Sequence, residues 1–149
     1  DLVLDEMETE HYFTLLLAFV ELETGQMVVS QAGHPHPAVQ RADGRIEQLG
    51  TGGFPVGLLS GVGFERFELK LERGDRILIL SDGVTECPGP DGDMLGEEGL
   101  TALMQDLAVM RGPAFLEALI WRLTEFNGSE DFPDDVSAIL FEYHGLAAI

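Results

Sequence analysis

The hydrophobic period of this chain changes twice, and the order of those changes restricts the fold more than any single motif does. Up to Leu80 the apolar residues follow strand patterns, between Glu97 and Leu123 they follow helical ones, and residues 136–143 return to strand composition. Residues 12–22 are apolar and β-branched enough for a buried strand, Thr24-Gly25 marks a turn, and residues 27–32 can return as the hairpin partner. Residues 38–41 and 46–49 read as a second hairpin about Asp43-Gly44. Phe67, Leu69 and Leu71 alternate with Glu68, Lys70 and Glu72, the period-2 pattern of a strand with one wet face. Gly74-Asp75 then turns the chain into Ile77-Leu78-Ile79-Leu80, an unbroken apolar run suited to a strand covered on both faces.

In the helical part, Leu100, Leu103, Met104 and Leu107 share one stripe behind an acidic first turn, which predicts a helix over 97–110. Pro113 suits the first position of a second helix. Its core face would carry Phe115, Leu116, Leu119, Ile120 and Leu123 before Asn127-Gly128 closes it. Strands, then helices, then a last strand argue for an α+β fold with antiparallel sheet, not for an alternating parallel one.

Composition narrows the functional classes. At 149 residues and 45% hydrophobic, the chain suits one globular unit with a real core. Eight Lys and Arg against 27 Asp and Glu give a formal charge of −19, which repels phosphate backbones and anionic lipid, so neither nucleic acid nor membrane is an expected partner. The apolar runs near 15–20 and 77–80 fall far short of the roughly 20 residues of a membrane span. Residues 1–10 carry five acids and no basic n-region, so no signal peptide is expected. Cys87 is the single cysteine, which excludes an internal disulfide and fits a reducing, cytoplasmic setting.

Two carboxylate sites stand at strand boundaries. Asp82 ends the most hydrophobic strand, and Asp134 and Asp135 open the last one. In an antiparallel sheet the end of one strand can lie beside the start of its neighbour, so these acids can converge at one rim. Like charges held that close need a cation or a shared proton, and hard oxygen donors suit Mg²⁺ or Mn²⁺. Taken alone, Asp-Gly after a strand also suits a plain turn, and Asp-Asp before a strand a solvated cap. His34 and His36 form a second pair, although histidine is equally at home as a satisfied loop residue. Cys87 has no His or basic neighbour to make it a nucleophile. Asp91-Gly92-Asp93 begins like a calcium loop, but Leu95 and Ala102 stand where that loop needs oxygen ligands.

Ala32-Gly33-His34-Pro35, Phe54-Pro55-Val56-Gly57, Gly74-Asp75-Arg76-Ile77-Leu78, Ser81-Asp82-Gly83-Val84-Thr85-Glu86 and Asp134-Asp135-Val136-Ser137 occur in one order over residues 12–143. In that order and spacing the chain resembles SpoIIE/RsbU-type serine/threonine phosphatases of the PP2C-like family. The resemblance implies an α-β-β-α sandwich of antiparallel sheets, with two divalent ions at one edge that activate the attacking water. It places Asp82 and Asp134 as metal ligands, Asp135 where relatives carry a second Asp or Asn, and Gly83 in close backbone packing at the site. It also implies an upstream Gly-Asp-Val-type motif whose aspartate bridges both ions. Nothing before Tyr12 matches that motif, since Asp5 and Glu6 lack its context. Residues 1–149 are therefore expected to be a partial domain, inactive or weakly active by itself.

The implied activity is hydrolysis of phosphoserine or phosphothreonine on a regulator such as a STAS-type anti-sigma-factor antagonist, in a parent with a sensory or receiver domain upstream. The alternative is a non-catalytic interaction or dimerisation module on a degenerate phosphatase fold. Absent early strands would leave exposed sheet edges, which makes a homodimer an expectation.

Overall fold

The computed structural model describes residues 12–59 and 61–146; the acidic opening, with Asp5 and Glu6, lies outside them. Among the described residues, seven strands fall where the apolar periods place them: β1 Leu15–Val20, β2 Gln26–Ala32, β3 Ala38–Gln40, β4 Ile46–Gln48, β5 Glu65–Lys70, β6 Arg76–Leu80 and β7 Ala138–Glu142. Three helices separate the last two: the single turn α1 Asp82–Thr85, then α2 Gly96–Asp106 and α3 Gly112–Asn127. Both sheets are antiparallel throughout, one ordered β1-β2-β5 and the other β4-β3-β6-β7.

The consecutive strands β5 and β6 belong to different sheets, so residues 71–75 carry the chain from one layer to the next. Met27, Val29, Val39, Leu71, Ile77 and Tyr143 fill the space between the sheets. On the other side of the four-stranded sheet, Leu78, Leu80, Val84, Leu100, Met104, Phe115, Leu119 and Leu123 form a second core with the helices. Strand β6 contributes to both cores through alternate residues, which explains why its sequence is apolar without a break. Cys87 is buried in the helical core, where burial pushes its thiol up, in keeping with a packing role.

Three expectations need correction. Residues 12–22 do not form a buried strand: Leu16 and Val20 face the inter-sheet core, but Leu17 and Phe19 are 63% and 73% exposed on the outer face of an edge strand. No helix covers that face among the described residues, so the layers seen are sheet, sheet and helices. Ile120 does not share the core face of α3. It is 38% exposed, because the stripe that meets the sheet is centred on the buried Phe115, Leu119 and Leu123, with Leu116 partly buried against the same core. Asp82-Gly83 is not a plain turn either, since it opens α1.

The turn between the sheets is held by Asp75, which is buried. Its carboxylate accepts the Arg41 guanidinium at 2.9 Å and the backbone N–H groups of Ala42 and Glu72 at 2.8 and 2.9 Å. Beside it Arg76, also buried, donates to Gln40 Oε1, to the Met110 carbonyl at 2.7 Å and to the Leu107 carbonyl at 3.4 Å. It lies 4.2 Å from the centroid of Phe115. One side chain thus ties β6 and β3 to the loop between α2 and α3.

Candidate active site

The last residue pair of the β6–β7 ladder is Leu80 with Ala138, which puts the exit of β6 beside the entry of β7. Ser81 extends the junction by one step. Its N–H donates to the Ser137 carbonyl at 3.0 Å, its hydroxyl donates to the Asp135 carbonyl at 2.8 Å, and the Ser137 N–H donates to that hydroxyl at 2.9 Å. Asp82 follows at the start of α1, exposed, with Oδ1 accepting the Gly83 N–H at 3.1 Å. Asp134, also exposed, accepts the Asp135 N–H on its own Oδ1 at 2.7 Å. Each carboxylate keeps its second oxygen without a protein hydrogen-bond donor among the described residues.

Gly83 sets how closely the two acidic segments approach. A Cβ at this buried position would stand 2.5 Å from the Asp135 carbonyl oxygen, 3.1 Å from the Asp135 carbonyl carbon and 3.4 Å from that of Asp134. All three atoms are backbone, so only a residue without a side chain lets the segments touch. The backbones carrying Asp82, Asp134 and Asp135, 52 positions apart at the closest numbering of the first two (134 minus 82), therefore meet at one sheet rim.

Asp82 also lines a cleft of about 330 Å³ with Gly33, His34, Pro35, His36, Gln48, Thr85, Glu86 and Glu97 among its walls. His34 is tied into its own loop: its carbonyl accepts Gln31 Nε2 at 2.6 Å, and its Nδ1 lies 2.9 Å from the Pro35 carbonyl oxygen. Gly33 keeps a positive φ of 68° and packs on Pro55, where a Cβ would come within 2.5 Å of the ring. His36 Nδ1 lies 2.8 Å from Glu97 Oε1 and joins this loop to the first turn of α2. The sequence singled out neither Gln48 nor the partnership of His36 with Glu97. Both amide atoms of Gln48 are buried in the cleft wall without a protein partner, a feature no local pattern signals.

The Gly74-Asp75-Arg76 motif lies at the opposite end of β6, six residues or about 20 Å of extended strand from Ser81. Its role is structural. The Asp91-Gly92-Asp93 segment is an exposed turn, in which the Gly89 N–H donates to the Asp93 carbonyl at 2.8 Å.

The donor set fits a hard divalent cation as a partial site: exposed carboxylates held on touching backbones, with oxygens left over. Among the described residues no group of three or more His, Cys, Asp and Glu could hold a metal ion, so a two-ion centre needs further donors. The cleft has a second demand for cations. Asp82, Glu86 and Glu97 line it, and among the described residues its only side chains able to carry positive charge are His34 and His36, so a phosphate group entering unaided meets net repulsion.

The family profile described as Stage II sporulation protein E (SpoIIE) matches residues 1–144. The chain belongs to the SpoIIE family. The phosphoserine phosphatase RsbU of Bacillus subtilis is 27% identical over 134 residues, 85% of this chain and 38% of that protein. The RsbU and RsbW domains of Rv1364c from Mycobacterium tuberculosis superpose with a TM-score of 0.70 at 25% identity, covering 91% of this chain and 37% of that one. The phosphatase domain of SpoIIE from Bacillus subtilis, presoaked with Mn, gives 0.73 at 17% identity, covering 91% and 58%. The SpoIIE-family chain thus shares the antiparallel α+β fold of PP2C-type domains and spans between about two fifths and three fifths of these relatives. No described helix is long and apolar enough to cross a membrane.

Proposed function

We propose that the chain is part of a cytoplasmic, metal-dependent protein phosphatase domain that hydrolyses phosphoserine or phosphothreonine on a regulator such as a STAS-type anti-sigma-factor antagonist. The observation that carries this reading is the contact of the Asp82-Gly83 and Asp134-Asp135 backbones beside an acidic cleft. Asp82 and Asp134 would hold Mn²⁺ or Mg²⁺, with Asp135 next to them and two ions in the complete domain. When bound, such ions neutralise the carboxylates, offset the charge of the phosphoryl group and activate water. The chain's own residues do the rest. Gly83 sets the approach of the ligand segments, Ser81 locks them to the sheet, and the bridge from His36 to Glu97 fixes one wall of the cleft.

The test is phosphate release from a phosphoserine peptide with and without Mn²⁺. Slow, Mn²⁺-dependent release is expected, lowered about tenfold or more by Asp82→Asn. Turnover unaffected by chelator would sink the proposal. One observation favours the rival reading, a non-catalytic interaction module: the described residues offer no three-donor metal group. Absence of release at saturating Mn²⁺ from a chain that also supplies the upstream donors, with an intact fold, would decide for it.

Self-association is the companion proposal, and Leu15, Leu17 and Phe19 on the outer face of β1 are its surface. Light scattering at micromolar concentration should show a species larger than the monomer. The double variant Leu17→Lys, Phe19→Lys should return it to monomer, and a wild-type monomer would refute the proposal.

A further inference from the structure

Helix α3 has a second face. Opposite its core stripe, Glu117, Ile120, Trp121 and Thr124 follow helical spacing and form one wall of a surface groove of about 940 Å³. The other wall is the segment after the helix, with Ser129, Glu130 and Phe132. Trp121, the only tryptophan of the chain, is 49% exposed there, beside the exposed Ile120. An indole and a branched aliphatic side chain left open to water in one concavity are the usual composition of a binding anchor point.

Charge identifies what fits. Among the described residues, the ionisable side chains lining the groove are Glu117, Glu125 and Glu130, and no basic residue lines it. Glu125 lies 3.8 Å from Arg122, which also bonds Asp106, while Glu117 and Glu130 have no basic partner within 4.0 Å among the described residues. The groove belongs to a chain of formal charge −19. A second copy would bring three glutamates onto three glutamates, and an anionic membrane surface would be repelled in the same way.

We propose that this groove docks an amphipathic, basic helical segment of a partner protein, with apolar residues seated on Ile120 and Trp121 and Lys or Arg facing Glu117 and Glu130. The wall of the groove runs from Phe132 through Pro133 directly into Asp134. A partner held here is therefore delivered beside the rim where the acidic segments meet. The proposal stands on this surface alone and does not depend on catalysis.

The single tryptophan makes the test direct. A synthetic peptide of about 18 residues, with Leu at helical spacing and Lys on its flanks, is titrated into the intact chain while Trp121 fluorescence and calorimetric heat are followed. The expected result is a saturable blue shift with one-to-one stoichiometry. The same peptide with Glu for Lys should bind about tenfold or more weakly, and Glu117→Lys with Glu130→Lys in the protein should reverse that preference. Both substituted residues are exposed, so the fold is retained, which circular dichroism checks. Equal affinity for the two peptides overturns the proposal. So does a fluorescence change that tracks protein concentration without peptide, which would assign the groove to a second copy.

Discussion

Replacing Arg76 with alanine is expected to lower unfolding free energy by about 3–5 kcal/mol, a large fraction of the roughly 5–15 kcal/mol that a domain holds. Arg76 is 1% exposed, and among the described residues no carboxylate accepts a hydrogen bond from it. Its acceptors are the Gln40 amide oxygen and the carbonyls of Met110 and Leu107, and Phe115 covers its face. Truncation leaves buried Gln40 Oε1 without a donor, at about 1–3 kcal/mol when no water replaces the guanidinium, and opens a cavity against Phe115, while the Met110 and Leu107 carbonyls keep Arg111 and the Met110 N–H as donors. The melting temperature should fall by roughly 8–16 °C.

Methionine at position 76 separates these contributions. It restores most of the apolar contact but none of the donors, so Arg76→Met should recover only about a third of the loss, roughly 1–2 kcal/mol. Burial, with a smaller repulsion from Arg111, lowers the Arg76 pKa to about 10. The native state then binds fewer protons than the unfolded chain only above about pH 10, where stability from this group rises with pH. At neutral pH the guanidinium is charged in both states. The loss on substitution should therefore be equal at pH 6 and pH 8, and a loss that differs between them would show that Arg76 is not the group responsible. A cost below about 1 kcal/mol for Arg76→Ala would show that water replaces the guanidinium.

Local chemistry made most of the elements readable from the sequence. The turn at Thr24-Gly25 and the Asp43-Gly44 pair defined two hairpins, and both form: β1 with β2, β3 with β4. Pro113 and the acids Glu97 and Glu98 marked helix starts that the structure keeps within a residue or two. Pairings that join distant segments were not readable, because β2 with β5 and β3 with β6 depend on how the two sheets stack, not on any turn. The partition into two sheets follows from the buried Asp75 turn, whose partners Arg41 and Ala42 are more than thirty positions away.

Burial was the weakest inference. Apolar residues at a strand or helix position announce an element, but which face is covered depends on what packs there. Leu17, Phe19 and Ile120 read as core and stand in the open. Within the candidate site, motif order singled out Asp82, Asp134 and Asp135, whose backbones meet, while Gln48 and the His36–Glu97 bridge arise from loop packing that no spacing rule encodes.

At the rim itself, Gly83→Ala and Asp82→Asn are expected to fail in opposite ways. The new Cβ of Gly83→Ala would meet the Asp135 carbonyl oxygen at 2.5 Å, and no flexible side chain can yield, so the two acidic segments must separate. That movement strains the Ser81 hydroxyl bonds to Asp135 and Ser137, and the fold should lose about 1–3 kcal/mol. Asp82→Asn leaves the backbone in place. Its amide oxygen still accepts the Gly83 N–H, and as a change at an exposed side chain it should move stability by no more than about 0.5 kcal/mol. Binding of Mn²⁺ to a partial donor set is expected to be weak in the wild-type chain, and both variants should weaken it by about tenfold, one by spreading the ligands and the other by removing a charge. Calorimetric titration with Mn²⁺, paired with urea unfolding of the same samples, reads both quantities. Unchanged Mn²⁺ affinity in Asp82→Asn would remove Asp82 from the metal site. Gly83→Ala with native stability and affinity would show that the contact between the segments is dispensable.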